Sequence, residues 1–324
     1  MRVILFQTED FVILSYPVML LLAIVAALGT LAWRAGRSPI DHTSLLIPLA
    51  VAVIVGWLGS RLAAGLIKEG PRGFSLRLLL PTEHVSGSFS IFLAIAIPVL
   101  MLGLWRQRTG VLACLDVFAP SALAAFAVAK VGCLLAGCCA GGECPPGWGI
   151  RYPYGSRPYA LQVATGTVKP PEVLLNKDEN GATHLFGHID FLRAVRRAPP
   201  DELTRHAGQY TLTYAEMLRL AESERSAPVW PVPLFYSVSA ALLWLVAETV
   251  FAHSRRAGWT TAMVLTAYAA MRLGFDLLLA EQPSTGLGTA LARSAALVSL
   301  IGGISLACLC MLGKTPERVL KSQI

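Results

Sequence analysis

Seven stretches of this chain are almost unbroken apolar sequence, and nothing else limits its fold so severely. They fall at about 11–33, 44–65, 87–104, 110–136, 231–252, 259–280 and 290–313. A helix needs roughly 20 apolar residues to cross the hydrocarbon core of a bilayer. Lipid offers no partner to an unpaired backbone N–H or C=O, so each run must close its hydrogen bonds as a helix. Composition agrees: 55% of residues are hydrophobic and 15% charged, against about 25% charged in soluble domains. A soluble enzyme is excluded. The first run is too long for a cleaved signal peptide and is expected to remain as a span. The expected fold is an all-α polytopic membrane protein of about seven transmembrane helices.

Orientation follows from the basic residues of the short loops, because Lys and Arg collect on the cytoplasmic side. With the N-terminus outside, that side holds Arg34, Arg37, Arg106, Arg108, Arg255, Arg256, Lys314, Arg318 and Lys321, nine in all. The other side, the long insert apart, holds four: Arg2, Lys68, Arg72 and Arg77. The N-terminus is therefore expected out and the C-terminus in. The net charge of +7 is accounted for by topology and by attraction to anionic lipid headgroups, and nucleic acid is not expected as a partner.

The chain divides into membrane helices over 1–139, an extracytoplasmic loop and small insert over 140–230, and membrane helices with a cytoplasmic tail over 231–324, all within one integral membrane domain. The first part of the insert is rich in Gly and Pro. It reads as an irregular loop at the membrane surface, with Trp148, Tyr152, Tyr154 and Tyr159 suited to the headgroup layer. Further on, 190–198 and 214–226 have helical patterning, and Thr213 with Glu216 forms a capping box at the start of the latter.

A charge at mid-bilayer costs about 2.5–3.5 kcal/mol even on insertion scales, so charges within spans are informative. Lys130, Arg272 and Asp276 stand out. Arg272 and Asp276 are four apart and share a helix face with Tyr268. A purely structural ion pair is one reading; a polar cavity in which Arg272 meets an anionic ligand and Asp276 holds its guanidinium is the other, and Lys130, with no acidic neighbour in its own helix, favours it.

Of seven cysteines, Cys133, Cys138, Cys139 and Cys144 cluster. Their spacing is not that of the usual zinc or ferredoxin motifs. A disulfide from Cys144 to Cys138 or Cys139 is permissible on an outer face, and small-residue packing of Gly132, Cys133, Ala136, Gly137, Cys138 and Cys139 with a tight re-entrant turn is the third reading. Neither a metal site nor a cofactor is expected, the pair His184 and His188 included. His84, in the segment HVSGS before the third span, is either an interface residue or a base at the mouth of a cavity.

The order of these motifs resembles the prolipoprotein diacylglyceryl transferases, and most closely their cysteine-containing relatives. HVSGSFS is similar to the family's H-G-G-L segment. LDVFAPSALAAFAVAKVGCLLAGCCAGG is similar to the stretch ending in G-R-x-G-N-F-x-N-G-E-x-x-G, WPVPLFYS to H-P-T-Q-L-Y-E-S, and YAAMRLGFD to Y-G-x-x-R-F-x-x-E. WGIRYPYGSRPYALQVATG looks like a segment of the cysteine-type relatives. On this resemblance Arg272 holds the essential-arginine position, Asp276 replaces its Glu, and Lys130 stands for the signature Arg. Gly132, Gly137 and Gly141 keep signature glycines, while Cys133, Ala136 and Cys138 replace Asn, Asn and Glu. Ser86 and Gly87 align with the two glycines of H-G-G-L, which leaves His84 one residue early.

The resemblance implies an enzyme of the bacterial inner membrane. It would move the diacylglyceryl group of phosphatidylglycerol to the lipobox cysteine of a prolipoprotein signal peptide, with release of glycerol phosphate. Arg272 and Lys130 would serve the phosphate, Asp276 would orient Arg272, and His84 is the nearby base. Two other functions compete: a non-catalytic protein that uses the same cavity to bind an anionic lipid or a partner, and a membrane thiol–disulfide protein built on the cysteine cluster.

Overall fold

The computed structural model describes residues 4–7, 12–36, 42–69, 89–107, 110–177, 183–185, 203–206, 210–278 and 286–313. Each of the seven apolar runs contains most of a helix: α1 Ser15–Ala35, α2 His42–Glu69, α3 Phe89–Arg106, α4 Val111–Ala136, and, past the insert, Val232–His253, Trp259–Asp276 and Gly286–Met311. The insert contributes α5 Arg157–Ala164 and α6 Tyr214–Ser223, so the last three are α7, α8 and α9. Three short antiparallel hairpins complete the described chain: β1 Ile4–Gln7 with β2 Val12–Leu14, β3 Leu175–Lys177 with β4 Thr183–Leu185, and β5 Leu203–His206 with β6 Tyr210–Thr213.

Among the described residues, five helices are long and apolar enough to cross a membrane, within α1, α2, α4, α7 and α9. The third run supplies the shorter apolar stretch Ala94–Arg106. The sixth is expected to extend to 280, but α8 ends at Asp276 after 18 residues. At 1.5 Å per residue that is about 27 Å, slightly less than a hydrocarbon core of roughly 30 Å, and it includes Arg272, Asp276 and three threonines. Apolar side chains stand exposed along the long helices, among them Leu21, Val25, Ile47, Leu242 and Val298, which is the surface that lipid covers.

The chain forms two compact units, Met1–Ile24 with Phe126–Ala240 and Gly274–Ser284, and Val25–Ala125 with Ala241–Leu273 and Thr285–Ile324. In the second unit α2 packs on α3 through small residues: a Cβ on Gly56 would lie 2.8 Å from Ala96 Cβ, and one on Gly59 would lie 2.6 Å from Ile95 Cδ1. Close backbone approach of this kind is how helices gain dispersion contacts where lipid supplies no hydrophobic drive. Leu31, Leu45, Leu104, Cys114, Val117 and Phe251 form a core.

In the first unit the insert has its own core of Tyr154, Tyr159, Leu174, Met217 and Ala221. The sequence placed these tyrosines in the headgroup layer. Instead Tyr152, Tyr154 and Tyr159 are buried, because the protein itself provides partners for two of the hydroxyls: Tyr154 donates to the Leu174 carbonyl and Tyr159 to Glu224. Only Trp148, 72% exposed, keeps the expected character. The expected helix at 214–226 begins where Thr213 and Glu216 place it; the one at 190–198 lies outside the described residues.

Candidate functional site

The site in the first unit is organised by the way α4 stops. Gly137 follows the helix with φ +73, and the Cys138 amide donates back to the Cys133 carbonyl at 3.1 Å. This is a Schellman ending, in which glycine takes the left-handed position and the residues on either side of the turn are brought together. Cys139 also has positive φ, at 58. The three sulfurs of Cys133, Cys138 and Cys139 consequently lie within 4.8 Å of one another. Cys144 is not among them; its sulfur lies against Gly149, where any Cβ would clash with it. No disulfide joins these four cysteines.

Lys130 lies one turn before Cys133. Its Nζ sits 5.2 Å from the Phe126 ring centroid and 4.8 Å from that of Tyr236, two rings set edge to face. Both distances are within the range of a cation–π contact. Lys130 makes no salt bridge among the described residues. Tyr236 is fully buried; it packs edge-on against Phe275 at 5.0 Å and donates its hydroxyl to Asp276 Oδ1 at 3.4 Å. Two of the three charges singled out in the sequence are thus linked through a tyrosine that the charge pattern does not reveal. The signal for it was its place in WPVPLFYS. Gly132 lets α4 approach α1 closely, since a Cβ there would lie 2.8 Å from Met19 Cβ.

Beyond the end of α4 a cavity of about 200 Å³ is lined by Gly137, Cys139, Gly141, Arg157, Gln162 and Val229, among others. Its far wall is held by Gln162, whose amide both accepts from the Ala227 N–H at 2.9 Å and donates to the Ala227 carbonyl at 3.4 Å. Hydrogen bonds from Cys133 and Cys138 hold the Cys139 thiol well below the ordinary cysteine range, and the positive charges of Lys130 and Arg157 act in the same direction. Burial raises the Tyr152 phenol, and its buried hydroxyl has no hydrogen-bond partner among the described residues.

The second unit contains Tyr268 and Arg272, both half-buried on α8. It also contains buried charges that the sequence reading passed over. Arg34, counted there among loop cations, is fully buried; its guanidinium pairs with Glu248 and donates to Ser121 Oγ at 2.6 Å and to the Val117 carbonyl at 3.2 Å. Asp116 of α4, also fully buried, accepts from the Gly258 N–H, the Thr261 N–H and the Thr261 hydroxyl, each at 2.8 Å. A carboxylate from one helix therefore caps the positive N-terminal end of another, α8. His84, Ser86 and Gly87 lie outside the described residues.

The profile of the family described as prolipoprotein diacylglyceryl transferase matches residues 3–312. The chain belongs to this family. Among relatives, a phosphatidylglycerol–prolipoprotein diacylglyceryl transferase of Rhodopirellula baltica is 28% identical over 207 residues, covering 60% of this chain and 40% of the relative. One of the same description from Dehalococcoides mccartyi is 30% identical over 168 residues, covering 49% of this chain and 61% of the relative. The chain thus spans less than two thirds of each of these transferases. Membership makes this a membrane protein of a transferase family, in keeping with its long apolar helices.

Proposed function

We propose that this chain is a diacylglyceryl transferase of the bacterial inner membrane. It crosses the bilayer seven times, N-terminus out and C-terminus in, takes phosphatidylglycerol as donor and lipidates the lipobox cysteine of a prolipoprotein. The thiolate of the incoming cysteine attacks the glyceryl carbon that carries the phosphate. A C–S bond forms, the C–O bond breaks, and glycerol phosphate leaves with the electron pair on oxygen. Such a reaction needs fixed positive charge at the leaving phosphate in a site of low dielectric, where each charge acts strongly.

The observation that carries this reading is Lys130, at the position of the family's signature arginine. It is held over two aromatic faces with no salt bridge among the described residues, a cation whose counter-ion can be the substrate. Lysine brings the charge as a point rather than a bidentate fork. Arg272 and Asp276 are assigned from their motif positions to binding the phosphate and to orienting the arginine, with Tyr268 on the same helix face. His84 is assigned as the base, with Ser86 and Gly87 beside the substrate, from the H-G-G-L resemblance. Gly132 permits the close packing of α4 on α1, and Gly137 the turn that ends α4 about two turns past Lys130.

Purified full-length protein in phosphatidylglycerol vesicles, supplied with a lipobox peptide, tests the proposal by mass spectrometry of the peptide and by release of glycerol phosphate. Transfer is expected, with Lys130→Ala and Arg272→Ala each slowing it by about 10²–10³, the usual cost of losing one electrostatic stabiliser. A folded protein that binds phosphatidylglycerol without any transfer overturns the enzyme reading in favour of a lipid-binding one.

A further inference from the structure

We infer that Cys133, Cys138 and Cys139 form a three-thiolate site for a thiophilic d10 metal ion, Zn²⁺ or Cu⁺, at the extracytoplasmic end of α4. By spacing alone these cysteines match no metal motif. The helix ending changes that, because the reversal at Gly137 returns Cys138 and Cys139 to the last turn that holds Cys133, and all three sulfurs come within 4.8 Å of one another. In a trigonal site with metal–sulfur bonds of about 2.3 Å, sulfurs stand about 4 Å apart, so small rotations of the side chains are enough.

Four further observations fit the requirements of such a site. Thiolate ligands suit these ions above harder ones. On binding, the thiols that are still protonated release their protons to solvent, and three thiolates around a divalent ion make a complex of charge −1. Lys130, one turn earlier on α4, and Arg157, on the wall of the cavity that Cys139 lines, are placed to balance it. That cavity, about 200 Å³, provides an entry route and room for a fourth ligand. Tyr152 is the outer-shell candidate: its ring packs on Gly137 at the turn between Cys133 and Cys138, and its hydroxyl is buried without a partner among the described residues. A donor still without an acceptor beside a thiolate site is the kind of group that becomes the second contact fixing a ligand once the metal is bound.

The test does not depend on transferase activity. Reduced full-length protein in detergent is titrated with Cd²⁺, followed by the sulfur-to-metal charge-transfer absorption, and Zn²⁺ and Cu⁺ are then competed against it. One equivalent is expected to bind. Cys133→Ser and Cys139→Ser weaken binding by more than the roughly 10–100-fold that loss of an outer-shell partner costs, with helical content and melting behaviour checked for each variant. Tyr152→Phe falls within that range, and Cys308→Ser, on α9, leaves binding unchanged. The inference is overturned by absence of the band while the thiols remain titratable, by full binding in Cys139→Ser, or by a disulfide joining two of the three when the protein is isolated without reductant.

Discussion

Asp116→Ala tests the claim that α8 is anchored by a carboxylate from another helix. Wild-type Asp116 satisfies three buried donors, the N–H groups of Gly258 and Thr261 and the Thr261 hydroxyl, all at 2.8 Å. Its removal leaves all three without that acceptor, and a buried donor left unsatisfied costs about 1–3 kcal/mol. Loss of negative charge at a helix N-terminus adds about 0.3–1 kcal/mol. Some relaxation of the helix end offsets the total, so about 3–6 kcal/mol is expected, with Asp116→Asn intermediate because one oxygen remains to accept. Equilibrium unfolding in mixed micelles, followed by circular dichroism, gives these differences. A double-mutant cycle with Thr261→Val sharpens the test: in wild type that change removes a hydrogen bond, whereas with Ala at 116 the hydroxyl has already lost its partner and the cost shrinks. A loss below about 0.5 kcal/mol for Asp116→Ala, the scatter of an ordinary surface change, or strict additivity in the cycle, would refute the cap.

Arg34→Ala leaves the carboxylate of Glu248 without its buried partner and is expected to cost about 3–5 kcal/mol; the double change Arg34→Met with Glu248→Met recovers most of this in the same unfolding assay. Gly56→Ala forces a Cβ to 2.8 Å from Ala96 Cβ, a rigid neighbour, and overpacking of this kind costs about 1–3 kcal/mol, read as a lower midpoint of thermal unfolding in detergent. Tyr236→Phe removes the hydroxyl donated to Asp276 but keeps the aromatic face under Lys130; transfer is expected to slow by less than in Lys130→Ala, and equal losses would count against a role for the charge.

The long apolar helices could be read from the chain because the bilayer imposes a local rule: about 20 apolar residues in succession must hydrogen-bond internally, whatever the rest does. Lys130 and Asp276 were legible for a related reason, since a charge within such a run stands out against its neighbours. The burial of Arg34 is not legible in the sequence, because its position in the chain, at a helix end beside a basic loop, is that of any topology-setting cation. Its burial depends on Glu248, 214 residues away. The tyrosines of the insert were assigned to the membrane surface on composition, and only the packing of Met217 and Ala221 against two of them reveals a small core.

The sequence by itself determined that the chain is a membrane protein built from long apolar helices, which motifs it shares with the diacylglyceryl transferases, and the intramembrane charges that deserve a function. The tertiary structure alone decided what those charges meet. It joined Lys130 to Asp276 through Tyr236 and set Asp116 at the start of α8. At the end of α4 it gathered three thiols whose spacing matches no common metal motif. Helix formation is settled within a few turns of sequence, while hydrogen bonds, ring contacts and thiol clusters depend on directions in space that the chain acquires only when distant segments, or a single turn at Gly137, bring the groups together.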